Sequence, residues 1–140
     1  MIKYLLQIFL NNKLLTGIIL ALATLTILYL TLSPADQIGD FSVYQYDKLG
    51  HFTLFFGWTF FFGLLILSFK ETRTNLLLVF IVGSFFGITI EILQGVLPFG
   101  RTPDMGDAIA DILGTLCATI VLYYIRKNYR ILGELIVKKK

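Results

Sequence analysis

The chain has 140 residues and is very apolar, with 56% hydrophobic and only 15% charged residues, whereas an ordinary soluble domain carries about 25% charged residues. A mean hydropathy of +0.79 leaves too few polar side chains to cover a water-facing globule. The composition therefore excludes a soluble protein and indicates an integral membrane protein. The net charge is only +3, and the basic run at 138–140 is too short to be a nucleic-acid-binding arm, so we expect no nucleic-acid partner.

Four apolar segments are long enough to cross a membrane, which takes about 20 residues in a helix. They lie at about 14–32, 51–69, 75–94 and 107–125. The preceding segment, 1–13, has an amphipathic pattern typical of a helix at the membrane interface, and 126–140 form a basic tail. The sequence therefore predicts an all-α membrane protein, a compact bundle of four transmembrane helices in one domain over 14–125.

Lysine and arginine are unevenly distributed between the two ends of this predicted bundle. Because basic residues accumulate in cytoplasmic loops, the richer end is predicted to be cytoplasmic, with both termini there. The poorer end has only Lys48 and Arg101, with acidic residues at Asp36, Asp40, Asp47, Glu91, Asp104, Asp107 and Asp111. The richer end carries ten basic residues, Lys3, Lys13, Lys70, Arg73, Arg126, Lys127, Arg130, Lys138, Lys139 and Lys140.

Ionisable residues enter the second and third spans from the predicted outer end. Asp47, Lys48 and His51 have spacings that place them on one helix face if the second helix begins early. Glu91 and Gln94 are three residues apart near the end of the third span, which again places them on one face. These residues are predicted to point into the bundle rather than into lipid.

The fourth span begins with a stripe of aspartates. Thr102 is predicted to be its N-cap and Pro103 its first-turn proline, and Asp104, Asp107 and Asp111 then follow on one face. A charge inside a membrane costs ~2.5–3.5 kcal/mol even on the lenient insertion scale, so these groups should face one another. One pocket open to the outer side is predicted, lined by Asp47, His51, Glu91, Arg101, Asp104, Asp107 and Asp111.

Carboxylates outnumber cations in this predicted pocket, so a bound divalent cation or a positively charged substrate group would balance the charge. His51, Glu91 and Asp111 are the candidates for acid–base catalysis or for ligand roles. The candidate metal ligands are Glu91, Asp104, Asp107 and Asp111. The candidate substrate-binding residues are Asp47, Lys48, Gln94, Arg101, Asp104 and Asp107, among which Lys48 and Arg101 would hold a phosphate or carboxylate.

The alternative interpretation is that these residues have only a structural role. Arg101 with Asp104 would be an ordinary ion pair of the loop, and the aromatic run around Trp58 would pack against helices and lipid. Four glycines, Gly57, Gly63, Gly83 and Gly87, are expected to let helices approach closely, as small residues do in membrane proteins.

Three blocks of the sequence resemble the VanZ-like family. They are Asp47-Lys48-x-x-His51-Phe52, then Glu91-x-x-Gln94, then Gly100-Arg101-x-x-Asp104-x-x-Asp107-x-x-x-Asp111-x-x-Gly114. The resemblance covers 47–114 and implies a small multi-span domain in the bacterial inner membrane, with an envelope-facing role. The family's namesake is associated with resistance to the glycopeptide antibiotic teicoplanin. The chain departs from the family at Asp111, where the family most often has Asn, and at Ala118, where it has a further glycine.

The sequence is compatible with three functions. The first is a membrane enzyme, or an enzyme-like binder, acting on a lipid-linked or cell-wall-related molecule. The second is a non-catalytic membrane protein that alters antibiotic access or envelope composition by binding a partner, with the polar residues forming a recognition or structural network. The third is an ion- or proton-coupled transporter, which four spans would form only as an oligomer. Ser–His–Asp arrangements, glycine-rich phosphate loops and Cys/His zinc spacings are absent from the sequence.

Overall fold

A computed structural model describes residues 2–34, 47–70, 73–98 and 100–137. Over these ranges the protein has helices and no strand, which confirms the predicted all-α class. Four helices are long and apolar enough to cross a membrane. The predicted outer residues Asp36 and Asp40, and the basic run at 138–140, lie outside the described residues. The helices are α1 (Ile2–Asn11), α2 (Lys13–Leu32), α3 (Asp47–Lys70), α4 (Leu76–Val96) and α5 (Met105–Val137).

The segment 1–13, predicted as an amphipathic lead-in, contains the short helix α1. Its end is joined to α2 by a hydrogen bond in which the Thr16 hydroxyl donates to the carbonyl oxygen of Phe9, at 2.7 Å. The Phe9 ring also packs edge-on against Phe61 of α3, with ring centroids 5.5 Å apart. The location of α1 at a membrane interface stays a prediction.

The start of α5 differs from the prediction. The helix begins at Met105, and the Asp104 carboxylate accepts a hydrogen bond from the backbone N–H of Gly106 at 2.7 Å. Asp104 is therefore the N-cap, and the assignment of Thr102 to that role is wrong. The Pro103 ring lies against Gly95 at the end of α4, so the proline is held in the connection instead of the first turn.

The helix α3 occupies the centre of the bundle and contacts all four other helices. One apolar cluster, at the end where α3 finishes and α4 begins, joins Leu64 to Leu76 and Leu122. A second, nearer the polar end, joins Phe55 and Trp58 to the neighbouring helices α2 and α4. Between them these clusters hold the four long helices together and leave the polar residues gathered at one end.

Two of the glycines on α4 let that helix lie close against its neighbours. A Cβ atom at Gly83 would lie 2.7 Å from a threonine hydroxyl of α3, and one at Gly87 would lie 2.8 Å from Cβ of Asp111. A Cβ at Gly63 would overlap a leucine side chain of α5, so the prediction of close approach is confirmed at these three positions. It is wrong at Gly57, where an added Cβ would meet no atom within 4 Å.

The helix α2 receives hydrogen bonds from three side chains of other elements. The indole of Trp58, the amide of Gln94 and the guanidinium of Arg101 each donate to an oxygen of α2 or of the residue that caps it. The pairs are Trp58 Nε1 with Thr24 Oγ1 at 2.8 Å, Gln94 Nε2 with the Thr31 carbonyl at 2.9 Å, and Arg101 Nε with the Ser33 carbonyl at 3.2 Å.

Candidate functional site

Polar side chains from three helices meet where α3 and α5 begin and α4 ends. His51 on α3 is 6% exposed, Glu91 on α4 is 6% exposed and Asp111 on α5 is fully buried. Each lies one to two turns inside its helix, so the three side chains reach the interior of the bundle. We call these residues, together with Asp47, Lys48, Asp104 and Asp107 around them, the polar cluster.

The centre of the polar cluster is the contact between His51 and Asp111. His51 Nδ1 lies 3.0 Å from Asp111 Oδ1, which is hydrogen-bond distance. Glu91 Oε1 lies 3.9 Å from the same ring nitrogen, too far for a hydrogen bond. The other Glu91 oxygen, Oε2, accepts a hydrogen bond from the backbone N–H of Asp104 at 3.1 Å. The loop before α5 therefore holds Glu91 with one oxygen directed at the His51 ring.

Two buried carboxylate oxygens in the polar cluster are unsatisfied. Glu91 Oε1 and Asp111 Oδ2 have no hydrogen-bond partner among the described residues. Leaving a buried polar atom without a partner costs about 1–3 kcal/mol, and more when the group is charged. Such atoms are rare in folded proteins, and a bound ion or ligand is one of the explanations for them.

Lys48 lies at the rim of the polar cluster and pairs with two aspartates. Its Nζ atom lies 2.7 Å from Asp104 Oδ2 and 3.4 Å from Asp107 Oδ1. The side chains of Lys48 and Asp104 are 56% and 52% exposed, whereas Asp107 is buried. Asp104 lies outside the membrane-spanning segments, and the hydrogen bonds from Lys48 and from the Gly106 N–H lower the pKa of Asp104. Asp104 therefore stays ionised at neutral pH and remains in an ion pair with Lys48.

Two more carboxylates lie near the histidine. One oxygen each from Asp47 and Asp107, and a ring nitrogen of His51, lie within 4.8 Å of one another. Asp47 begins α3, which confirms that this helix starts early enough to bring Asp47, Lys48 and His51 to one end of the bundle. The polar cluster thus contains five carboxylates but only one lysine, so its negative charge is not balanced by its own cations.

The structure does not bring Gln94 and Arg101 into hydrogen-bond contact with the polar cluster. Gln94 is buried and donates to α2 through the Thr31 carbonyl. Arg101 donates to the carbonyl oxygens of Leu30 and Ser33 at the end of α2. Those carbonyls lack partners within their own helix, which is the physical reason that they attract the guanidinium. The expected ion pair of Arg101 with Asp104 is therefore not formed, and a role of Gln94 or Arg101 in substrate binding stays a prediction.

Three contributions to the site went unpredicted from the sequence. The backbone N–H of Asp104 holds Glu91, and Gly87 leaves the space that Asp111 occupies, since a Cβ there would lie 3.0 Å from Asp111 Oδ2. Below the cluster, the hydroxyls of Thr59 and Thr115 form a buried hydrogen bond at 3.2 Å. Thr115 follows Asp111 by one helical turn, so an extension of the polar stripe on α5 would have been the signal for it.

A family profile described as VanZ/LLP1 matches residues 10–127, most of the chain. The protein belongs to the VanZ-like family. No curated protein and no solved structure matches the chain. The family match includes α2 and every residue of the polar cluster, whereas the resemblance seen in the sequence rested on 47–114 alone. Together with its four apolar helices, this makes the chain a multi-pass membrane protein of the VanZ-like family.

Proposed function

We propose that this VanZ-like protein binds a cell-envelope molecule, lipid-linked or derived from the cell wall, in its polar cluster at the outer side of the bacterial inner membrane. The observation that carries the proposal is the buried set of His51, Glu91 and Asp111, in which two carboxylate oxygens lack partners. A network that served only to join helices would be expected to satisfy its own oxygens. Buried carboxylate oxygens without a hydrogen-bond partner are instead typical of a site that binds a ligand.

The charge of the polar cluster supports a ligand with a positive group. Asp47, Asp104 and Asp107 extend the negative charge of the buried carboxylates toward the surface, and Lys48 is already paired. An amine of an envelope molecule, or a metal ion bound with it, would be attracted to this end of the bundle. Binding of such a molecule is the route by which the protein would affect glycopeptide susceptibility.

The orientation of the protein is part of the same proposal. At the end of the bundle opposite to the polar cluster, Lys13 lies over the Phe69 ring, 4.4 Å from its centroid, and Arg126 donates to the Thr74 carbonyl at 2.7 Å. Basic residues concentrate at this end, which favours a cytoplasmic location for it and for both termini. The polar cluster would then face the outer side.

The topology is tested by labelling single cysteines in whole cells. The cysteines are introduced into a variant in which Cys117 is replaced by alanine. A cysteine at position 38 should react with a membrane-impermeant reagent in intact cells. A cysteine at position 72 should react only after the membrane is permeabilised. The opposite pattern would contradict the proposed orientation and place the polar cluster on the cytoplasmic side.

The binding role is tested with Glu91→Gln, which keeps the size of the side chain and removes its charge. The matched control is Glu134→Gln, the same change at a position of α5 beyond the span Met105–Asn128. Copurifying envelope molecules are identified by mass spectrometry, and glycopeptide susceptibility is measured at equal membrane levels of each variant. We expect Glu91→Gln to lose the copurifying molecule and the effect on susceptibility, and Glu134→Gln to keep both. Wild-type behaviour of Glu91→Gln would mean that the polar cluster is a structural network.

A further inference from the structure

We infer that the polar cluster binds one divalent metal ion, Mn²⁺ or Zn²⁺, through His51, Glu91 and Asp111. The inference rests on the proposed binding role of the same cluster and names the positive group that the site takes. The three residues come from three helices, so the ion would join α3, α4 and α5 at one point.

The distances suit a shared ion. Histidine nitrogen and carboxylate oxygen bind Zn²⁺ at about 2.0–2.2 Å, so two ligands of one ion lie at most about 4.4 Å apart. His51 Nδ1 lies 3.0 Å from Asp111 Oδ1 and 3.9 Å from Glu91 Oε1. One ligand atom from each of the three residues lies within 4.8 Å of the other two. Only a small closure of the site is needed for all three to reach one ion.

The charge of the three ligands is balanced better by a divalent ion than by a single proton. Two buried carboxylates and a neutral imidazole carry two negative charges, which a divalent ion cancels. A proton on His51 would balance only one carboxylate and would leave the other uncompensated inside the bundle. The unsatisfied oxygen of Glu91 and that of Asp111 are also accounted for if their carboxylates bind an ion.

The type of ligand selects the type of ion. Mg²⁺ and Ca²⁺ prefer sites made of oxygen atoms alone, whereas imidazole with carboxylates suits Zn²⁺ and, through its oxygen ligands, Mn²⁺. Three protein ligands leave a coordination position open, as in catalytic zinc sites, and an envelope molecule would occupy that position.

The surroundings of the three residues resemble the outer shell of a metal site. Glu91 is oriented by the backbone N–H of Asp104, and the His51 ring lies beside carboxylates of Asp47 and Asp107. In metal sites, a hydrogen bond such as that from the Asp104 N–H to Glu91 fixes the direction of a ligand and tunes its basicity. The polar cluster therefore offers supporting groups as well as ligands.

The test is pulsed electron paramagnetic resonance of the full-length protein, purified through a histidine-free tag, stripped with a chelator and loaded with Mn²⁺. The chain has a single histidine, so any coupling of Mn²⁺ to an imidazole nitrogen reports His51. We expect one bound ion per chain with that coupling, and displacement of Mn²⁺ by Zn²⁺. Absence of saturable binding, or binding without imidazole coupling, overturns the inference.

Variants then assign the carboxylate ligand. Glu91→Gln should weaken the affinity for Mn²⁺ by more than about 100-fold, the upper end of the loss seen for outer-shell partners. Glu134→Gln should leave it unchanged, with circular dichroism confirming that both variants are folded. Wild-type affinity in Glu91→Gln contradicts its role as a ligand. If Glu91→Gln does not fold, the imidazole coupling of the wild-type protein alone decides the inference.

The same preparations separate the two proposals. In one outcome, the wild-type protein binds no metal but copurifies with an envelope molecule, and Glu91→Gln loses that molecule. This result would contradict the metal site and support the proposed function. A bound ion without any copurifying molecule or effect on susceptibility would contradict the proposed function and leave the ion in place.

Discussion

The close packing of α5 against α3 makes Gly114→Ala a severe change for so small a side chain. Gly114 lies three residues after Asp111, next to the backbone of α3 beside His51. A Cβ atom there would overlap the carbonyl oxygen of Phe52 and lie 3.0 Å from the backbone nitrogen of Phe56. Backbone atoms cannot rotate out of the way, so the two helices must separate.

The size of the effect follows from three contributions. Overpacking costs about 1–3 kcal/mol. Optimal non-bonded approach is about 3.5 Å, so the separation is on the order of 1 Å, which is enough to break the 3.0 Å contact of His51 with Asp111 at a further cost of about 1 kcal/mol. Alanine favours the helix over glycine by about 1 kcal/mol, which offsets that loss. We therefore expect Gly114→Ala to lower the free energy of unfolding by about 1–3 kcal/mol.

The assay is unfolding of the purified protein in mixed micelles by increasing fractions of a denaturing detergent, followed by circular dichroism. Gly57→Ala is the control, because a Cβ at that position meets no atom within 4 Å and should leave stability equal or raise it by up to about 1 kcal/mol. Metal affinity should fall in Gly114→Ala and stay unchanged in Gly57→Ala. If Gly114→Ala unfolds at the same detergent fraction as the wild-type protein, the close approach of α3 and α5 is wrong.

Three further predictions concern the polar end of the bundle. Asp111→Asn introduces the residue that the VanZ-like family most often has at this position, so it should retain much of the function that Glu91→Gln loses, as measured by envelope-molecule binding; equal loss in both would contradict this. Lys48→Met should raise the pKa of Asp104 toward its ordinary value, because it removes the main hydrogen bond that lowers it; carboxylate NMR measures the change. Since the pKa of Asp104 is lowered in the folded protein, its pairing stabilises the fold above the ordinary pKa and is lost as the pH falls through the lowered one. Arg101→Gln should destabilise the protein by about 1 kcal/mol in the detergent assay and leave metal affinity unchanged; a change in metal affinity would place Arg101 in the site.

The helices could be predicted from the sequence because hydropathy and length define a membrane span almost alone. The predicted spans agree with the observed ones to within a few residues at most ends. The largest difference at a start is in α3, which begins at Asp47 instead of 51, since an apolar run cannot show that Asp47 and Lys48 already belong to the helix. The end of α5 also differs, because a helix can continue beyond the apolar run.

The polar cluster could be predicted only in part. His51, Glu91 and Asp111 were grouped because buried ionisable residues need one another, and the structure brings them together. By the same logic Arg101 and Gln94 were expected in the cluster, but they bind backbone carbonyls of α2. A sequence shows which side chains need partners, but the free backbone acceptors at a helix end become visible only when the helices are placed.

The hydrogen bonds that Trp58, Gln94 and Arg101 donate to α2 also determine the position of α2 along the membrane normal. Apolar contacts distinguish poorly between positions along the membrane normal, because lipid tails are as apolar as the helix surface. Trp58 donates to α2 near its middle, Gln94 near its end and Arg101 just beyond it. Sliding α2 by a single turn, about 5.4 Å, would break all three hydrogen bonds at once. The least buried of the four long helices therefore has one register in the bundle, set by polar groups at three depths.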